Sequence, residues 1–247
     1  MQTLRVFQIG LVAVVAGLVW GQSASASQAP TRAVFELFTS QGCSSCPPGD
    51  KLLSNYAHED KSVIALTYPV TIWDHLGWRD TLARPENTQR QRAYMSLRGD
   101  GKLYTPQMVI NGVAHAVGSD KGEIEKQCRV TAEGQAMRVP MSAQADHGAV
   151  DISIERWPER TESPRARVYL VSYARETKVP IGSGENAGKT TSYSNVVQSV
   201  QEVAYWNGQK LSLRLFWKPS EAQGGALILQ GMSNSGPGAI YGAVQLP

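Results

Sequence analysis

The sequence predicts an α/β domain followed by a β-sandwich-like part, on three observations. From residue 30 to about 132, strand-like and helix-like segments alternate. Beyond residue 134, short alternating segments recur between turn signals and no convincing helix intervenes. With 247 residues and 42% hydrophobic positions, the chain can bury a sizeable core in one large or two smaller domains. Charge is nearly even, 24 Lys+Arg against 21 Asp+Glu. That balance excludes a protein built around nucleic-acid phosphates, whose binding rests on neutralising many charges.

Residues 1–26 read as a secretory signal peptide. Arg5 supplies the positive charge, residues 9–20 form an uninterrupted apolar run, and Ala24-Ser25-Ala26 gives a small-x-small cleavage pattern. As a helix that run would rise about 18 Å, short of the roughly 30 Å hydrocarbon core. Removal after Ala26 is therefore expected, leaving no membrane span. The mature chain is expected in the periplasm or outside the cell, where disulfides persist.

Ala33-Val-Phe-Glu-Leu-Phe-Thr39 alternates and is rich in strand formers, so it is a strand. Residues 40–46 form a loop. Pro47-Pro48 opens a helix, with Asp50 in its first turn and Leu52, Leu53 and Tyr56 on one face. Residues 63–68 suit a buried strand, and residues 85–97 a second helix with Pro85 at its start. Residues 107–110 and 113–117 flank Asn111-Gly112, the strongest short hairpin signal. Ser119 then caps a third helix running to about Arg129, which closes a domain over residues 30–132. In the second part, residues 135–247, strands are predicted near 138–144, 149–154, 167–173, 196–206, 210–217, 226–230 and 239–246. Residues 174–194 read as a long polar loop.

The cysteines carry the chemistry. Cys43, Cys46 and Cys128 are too few for a disulfide scaffold. Cys43 and Cys46 stand at C-x-x-C spacing directly between a strand and a helix, which is the thioredoxin-like arrangement. Sulfurs at this spacing can close a disulfide without backbone movement, and helix N–H groups nearby favour a thiolate. So small a loop is a poor staple, with about 2 kcal/mol from chain entropy. A strained, exposed disulfide suits exchange better than stabilisation. In thioredoxin-fold proteins a cis-proline opens the strand opposite the cysteine pair. Thr105-Pro106 stands in that place, followed in order by the Asn-Gly hairpin and the third helix. We expect it to be cis.

Several longer motifs narrow this further. Gln41-Gly-Cys-Ser-Ser-Cys-Pro-Pro48, Trp73-Asp-His-Leu-Gly-Trp-Arg-Asp80, Arg90-Gln-Arg-Ala-Tyr94 and Tyr104-Thr-Pro-Gln-Met-Val109 resemble a family of secreted bacterial proteins. That family is known as a domain of unknown function with a thioredoxin-like fold. The likeness continues through Gly184-Glu-Asn-Ala-Gly188 and Asn195-Val-Val197, so it covers nearly the whole mature chain. Where the family usually has His-Val-Asp-Tyr before the first Trp, this chain has Pro69-Val-Thr-Ile72, so no role for that His or Asp carries over. The resemblance implies a fold but no established reaction.

The expected reaction is thiol-disulfide exchange, with Cys43 as nucleophile and Cys46 resolving the mixed disulfide. Thr105 and Pro106 would hold a substrate backbone extended opposite the pair. Trp73, Asp74 and Trp78 either read the substrate or close the fold. Substrates would be proteins or small thiols, with no nucleic-acid partner. No cofactor is expected, because the cysteines carry the electrons. The alternative is a copper-handling or protein-binding module on the same frame, since two thiolates suit Cu(I). A structural zinc site would need four ligands, and that set is not present in the sequence.

Pro47 is expected to push Cys46 toward extended geometry and, with Pro48, to remove two N–H groups near the sulfurs. Cys43 should then be activated less than in the strongest disulfide oxidants. Cys128, four residues after Ile124, should face the core. Arg84, Arg90, Arg92 and Arg98 would form a solvated face or an anion site. Ser183-Gly-Glu-Asn-Ala-Gly-Lys-Thr190 nearly spells a P-loop, but Ser183 replaces a required Gly and no helix is expected after it.

Overall fold

The computed structural model describes residues 30–159, 164–233 and 236–247. The expected signal peptide, residues 1–26, lies outside the described residues. The first part runs β1 (Ala33–Thr39), α1 (Pro47–Glu59), β2 (Val63–Pro69), α2 (Pro85–Arg98), β3 (Gln107–Ile110), β4 (Ala114–Val117) and α3 (Lys121–Glu133), in the predicted order.

Strand β1 is buried along its whole length and sends alternate side chains to opposite faces. Phe35 and Leu37 meet Leu53 and Tyr56 of α1 and Ile124 and Cys128 of α3. Val34 and Phe38 meet Tyr94 of α2 on the other face. A strand covered on both sides belongs in the middle of a sheet. Accordingly β1 pairs parallel with β2 and antiparallel with β3. Asn111 and Gly112 both take positive φ, 52° and 68°, as the tight hairpin requires. A Cβ on Gly112 would also lie 2.6 Å from the Gly238 carbonyl oxygen, so this turn needs glycine for room as well. Helix α3 is capped by Asp120, whose side chain accepts the Glu123 amide at 3.0 Å, rather than by Ser119 as expected. The helix starts at Lys121, and that places Asp120 at the capping position.

The arginines of α2 divide in two. Arg90 is neither a solvated residue nor an anion site. Its Nε donates to Oε1 of the fully buried Glu36 at 2.7 Å, and Tyr94 Oη donates to the other carboxylate oxygen. Arg84 and Arg92 remain exposed, and Arg98 pairs with Asp100 at 3.0 Å.

The second part contributes β5 (Met141–Asp146), β6 (Ala149–Ile154), β7 (Ala166–Pro180), β8 (Thr190–Trp206), β9 (Leu211–Phe216), β10 (Gln223–Ser233) and β11 (Gly236–Gln245). They do not form the self-contained β-sandwich expected. Strands β7, β8, β10 and β11 extend the first sheet to eight strands, in the order β11-β10-β7-β8-β2-β1-β3-β4, while β5, β6 and β9 make a three-stranded sheet. The small sheet lays Val150, Ile152 and Ile154 on Val168, Leu227, Leu229 and Val244 of the large one, so a sandwich layer exists at that end.

The reason lies at the outer edge of β2. A strand buried on both faces cannot leave its backbone groups unpaired. Strand β8 covers that edge through a parallel pairing at Thr67 and Val196. Two side chains lengthen the seam. Thr67 Oγ1 donates to the Ser194 carbonyl at 2.6 Å, and Asn195 Nδ2 donates to the Ala65 carbonyl at 2.9 Å.

The expected loop over 174–194 is also corrected. Strands β7 and β8 continue as a hairpin, still in register from Glu176 opposite Ser194 to Pro180 opposite Thr190. Residues 181–189 form its tip. Most side chains of this extension are polar and partly exposed, so the sequence there lacks the alternation that marks a half-buried strand. No helix among the described residues is long and apolar enough to cross a membrane.

Candidate functional site at the Cys43–Cys46 pair

Cys43 and Cys46 form a disulfide in the connection between β1 and α1, with their Cα atoms 5.4 Å apart. The loop winds into the helix through successive turns. The Cys43 amide donates to the Ser40 carbonyl at 3.1 Å, and the Cys46 amide to the Cys43 carbonyl at 3.2 Å. The Cys46 carbonyl then accepts from Gly49 and Asp50, at 2.8 and 3.1 Å. Cys46 is therefore helical, φ −76° and ψ −37°, not extended as the following proline had suggested. These local hydrogen bonds offset the pre-proline clash. The helix does begin at Pro47, as expected.

The disulfide is not the exposed one expected, since the loop and its neighbours bury both cysteines, though unequally. Cys43 is 6% exposed and Cys46 is fully buried, while Ser44 and Ser45 between them are exposed. Thr105-Pro106 is a cis peptide. Cys43 Sγ lies 3.7 Å from the Thr105 carbonyl oxygen and 3.4 Å from Ser45 Oγ. Pro106 rests on the first turn of α1. A Cβ built on Gly49 would stand 2.9 Å from Pro106 Cβ, so this contact leaves no room for a side chain. Few backbone donors remain for a thiolate at Cys43. The amides of Cys43 and Cys46 are bonded within the loop, Ser44 donates to Glu185, and Pro47 and Pro48 have no N–H. The Ser45 hydroxyl is an adjacent donor, shared with the Thr105 carbonyl at 3.5 Å.

The residues predicted after the second strand converge on the same place. Trp73 Nε1 donates to Thr105 Oγ1 at 2.7 Å, and Trp73 passes over Gly42, where an added Cβ would lie 3.3 Å from its Cβ. Trp78 Nε1 donates to Gln41 Oε1 at 2.8 Å. Asp74 Oδ1 accepts the Asp80 amide at 3.1 Å, which closes the segment on itself. His75 stacks on Trp73 at 6.5 Å, and Leu76 is 44% exposed beside them.

Two acids lie behind the loop. Asp50, one turn past Cys46, is buried and accepts Thr39 Oγ1 at 2.7 Å, while its Oδ2 has no hydrogen-bond partner among the described residues. Burial pushes its carboxyl up to about 7. Asp80 is also raised by burial, partly offset by the amides of Gln41, Leu82 and Ala83 that its oxygens accept.

Sequence reasoning passed over the tip of the β7–β8 hairpin as a site element. Asn186, 1% exposed, donates from Nδ2 to the Gln41 and Cys43 carbonyls, both at 2.9 Å. Glu185 Oε2 accepts the Ser44 amide at 3.2 Å. The signal available was the family-like segment at 184–188, read only as a resemblance and a failed P-loop. A strand, β8, follows it.

Cys128 packs in the core under α3, and burial raises its thiol. Among the described residues no group of three or more His, Cys, Asp or Glu is placed to hold a metal ion.

Comparison with known proteins gives a family and two solved neighbours. A crystal structure of a protein from Agrobacterium tumefaciens is 35% identical, with a TM-score of 0.76, covering 89% of this chain and 96% of that one. HBP35 of Porphyromonas gingivalis is 12% identical, with a TM-score of 0.61 over 87% of this chain and 74% of that one, a likeness of fold alone. No curated protein matches in sequence. Residues 34–230 match the protein family of unknown function DUF1223, and the chain belongs to it.

Proposed function

We propose that this protein is a thiol-disulfide exchange protein on a thioredoxin-like frame, acting in the periplasm or outside the cell. The observation that carries the reading is the unequal access within the closed pair. Cys43 keeps a small exposure, 6%, beside the cis Thr105-Pro106 peptide, and Cys46 keeps none. A reacting partner meets Cys43 first.

In the oxidised protein a substrate thiolate attacks Cys43 Sγ. The Cys43–Cys46 bond breaks, its electron pair leaves on Cys46 Sγ, and that sulfur takes a proton. A second substrate thiolate then attacks the substrate sulfur of the mixed disulfide. Cys43 departs as a thiolate and is protonated, so the substrate ends as a disulfide and the protein as a dithiol. Run backward, the same steps reduce a substrate disulfide.

The frame is supported by the β1-α1-β2-α2-β3-β4-α3 order, with α1 and α3 on one face and α2 on the other. The extracytoplasmic location is supported by the signal-like residues 1–26 and by the closed disulfide. The half-buried Thr105, with exposed His75 and Leu76 nearby, favours a substrate that is an extended peptide rather than a free thiol alone.

Cys46→Ser tests the reading. Under oxidising conditions it should accumulate partners covalently bound through Cys43 that reductant releases, while Cys43→Ser should trap none. Absence of reductant-sensitive adducts from Cys46→Ser would remove the proposal, and a copper ion co-purifying with the reduced wild type instead would favour the metal-handling alternative.

A further inference from the structure

The hairpin tip at 181–189 takes no part in the bond exchange, yet it is fastened to the loop that performs it. Asn186 ties the carbonyls of Gln41 and Cys43 through one buried amide group, and its Oδ1 accepts Lys189 Nζ at 2.9 Å. Ser183 Oγ donates to the Gly77 carbonyl at 2.6 Å. Gly182 packs so closely on Trp78 that a Cβ would lie 3.0 Å from its ring. The tip is thus held on both sides, and Glu185 projects from it to the Ser44 amide.

The identity of that amide matters. Backbone N–H groups next to the reactive sulfur stabilise its thiolate in a C-x-x-C loop. In this chain most are already committed or absent, and Glu185 takes the one immediately after Cys43. It also brings a carboxylate to the nucleophile's neighbourhood, where like charge disfavours a second anion. Other charged groups on the surrounding elements are Asp50 on α1, Asp74, His75, Arg79 and Asp80 on the segment after β2, and Lys189 on the hairpin itself. Asp80 bonds the Gln41 amide, outside the cysteine pair. Among the described residues, Glu185 is the charged group bonded to an amide between the two cysteines.

We infer that Glu185, held in place by Asn186, restrains formation of the Cys43 thiolate, so that the β7–β8 hairpin sets how fast the reduced pair attacks. Both are positioning residues; neither exchanges a bond. The inference gives the second part of the chain a task at the redox loop, and it rests on the exchange reading above. In the reduced protein the equilibrium concerned is loss of one proton from Cys43 Sγ to water, with Cys46 remaining a buried thiol.

The test is the pH profile of Cys43 alkylation by iodoacetamide in the reduced chain from residue 27 to residue 247. Cys46 is fully buried and serves as an internal control, and a Cys128→Ser background removes the third thiol, whose 5% exposure is close to the 6% of Cys43. Glu185→Ala frees the Ser44 amide and removes the charge, so the midpoint should move to lower pH and the rate at neutral pH rise about fivefold. Glu185→Gln keeps an acceptor and removes only the charge, so a smaller shift is expected. Both shifts should shrink in about 1 M salt, where the screening length falls to about 3 Å. A loop merely loosened would change the rate equally at every pH, and that result, or unchanged midpoints in both variants, would overturn the inference. Failure of the exchange reading looks different: Cys46→Ser would trap nothing, whatever residue stands at 185.

Discussion

Asp50 shows what one buried side chain reports. It sits in the first turn of α1, where Pro47 and Pro48 supply no N–H and the Gly49 and Asp50 amides are bonded to the Cys46 carbonyl, and burial pushes its carboxyl from 3.8 up to about 7. Between about pH 4 and pH 7 the unfolded chain has released this proton and the native chain has kept it. Stability from this group therefore falls as pH rises through that window and stays lower above it. A shift of that size corresponds to roughly 4 kcal/mol. Asp50→Asn should be more stable than wild type to urea above pH 7 and show no gain near pH 4. An equal gain at both pH values would show that the carboxyl is not held protonated. At this scale the sequence disclosed Cys43, Cys46 and Pro106, whose neighbours in the chain define them. It did not disclose Asn186, because the worth of a buried amide depends on carbonyls about 140 positions away, at Gln41 and Cys43. Cys46 departs from its local preference for a related reason. The pre-proline preference is local, and the carbonyl bonds of Cys46 to Gly49 and Asp50 outweighed it.

At the scale of elements, β1 and α2 are joined by a pair that neither segment announces alone. Glu36 lies in an otherwise apolar alternating strand and has no exposure, and Arg90 reaches it from α2 with 14% of its side chain exposed. Breaking a buried pair costs more than the pair contributes, because the remaining charge is stranded. Arg90→Met should destabilise the protein by about 3–5 kcal/mol in urea unfolding. Glu36→Gln combined with Arg90→Met should recover much of that loss. If the single and double variants unfold at the same urea concentration, Glu36 does not depend on Arg90. Elements were legible where their own period recorded burial, as in α1 and β6, or where a turn or cap signal marked them, as with Pro85 at the start of α2, whose buried residues are Asn87, Thr88, Gln91 and Tyr94. The extension of β7 and β8 was not, since its polar, half-exposed residues carry no period to read.

On the scale of the whole molecule, one eight-stranded sheet runs through both compositional halves. Hydrogen-bond partners along a strand edge leave no mark on side-chain pattern, so nothing in the residues near β2 foretold that β8 would cover it. The consequence reaches the cysteine pair. Its loop is set from one side by β1, α1 and the Thr105-Pro106 turn, and from the other by the hairpin tip that β8 brings back across the sheet. A disulfide framed by so many fixed contacts can exchange only if Cys43 stays reachable in the intact fold.

A glutathione redox titration of the chain from residue 27 to residue 247 examines that directly, with samples acid-quenched, unfolded and alkylated so that every free thiol is counted. The account predicts one reversible two-electron transition in which two thiols, Cys43 and Cys46, appear together above the constant signal of Cys128. A pair that stays closed at every glutathione ratio until the chain is denatured would contradict it.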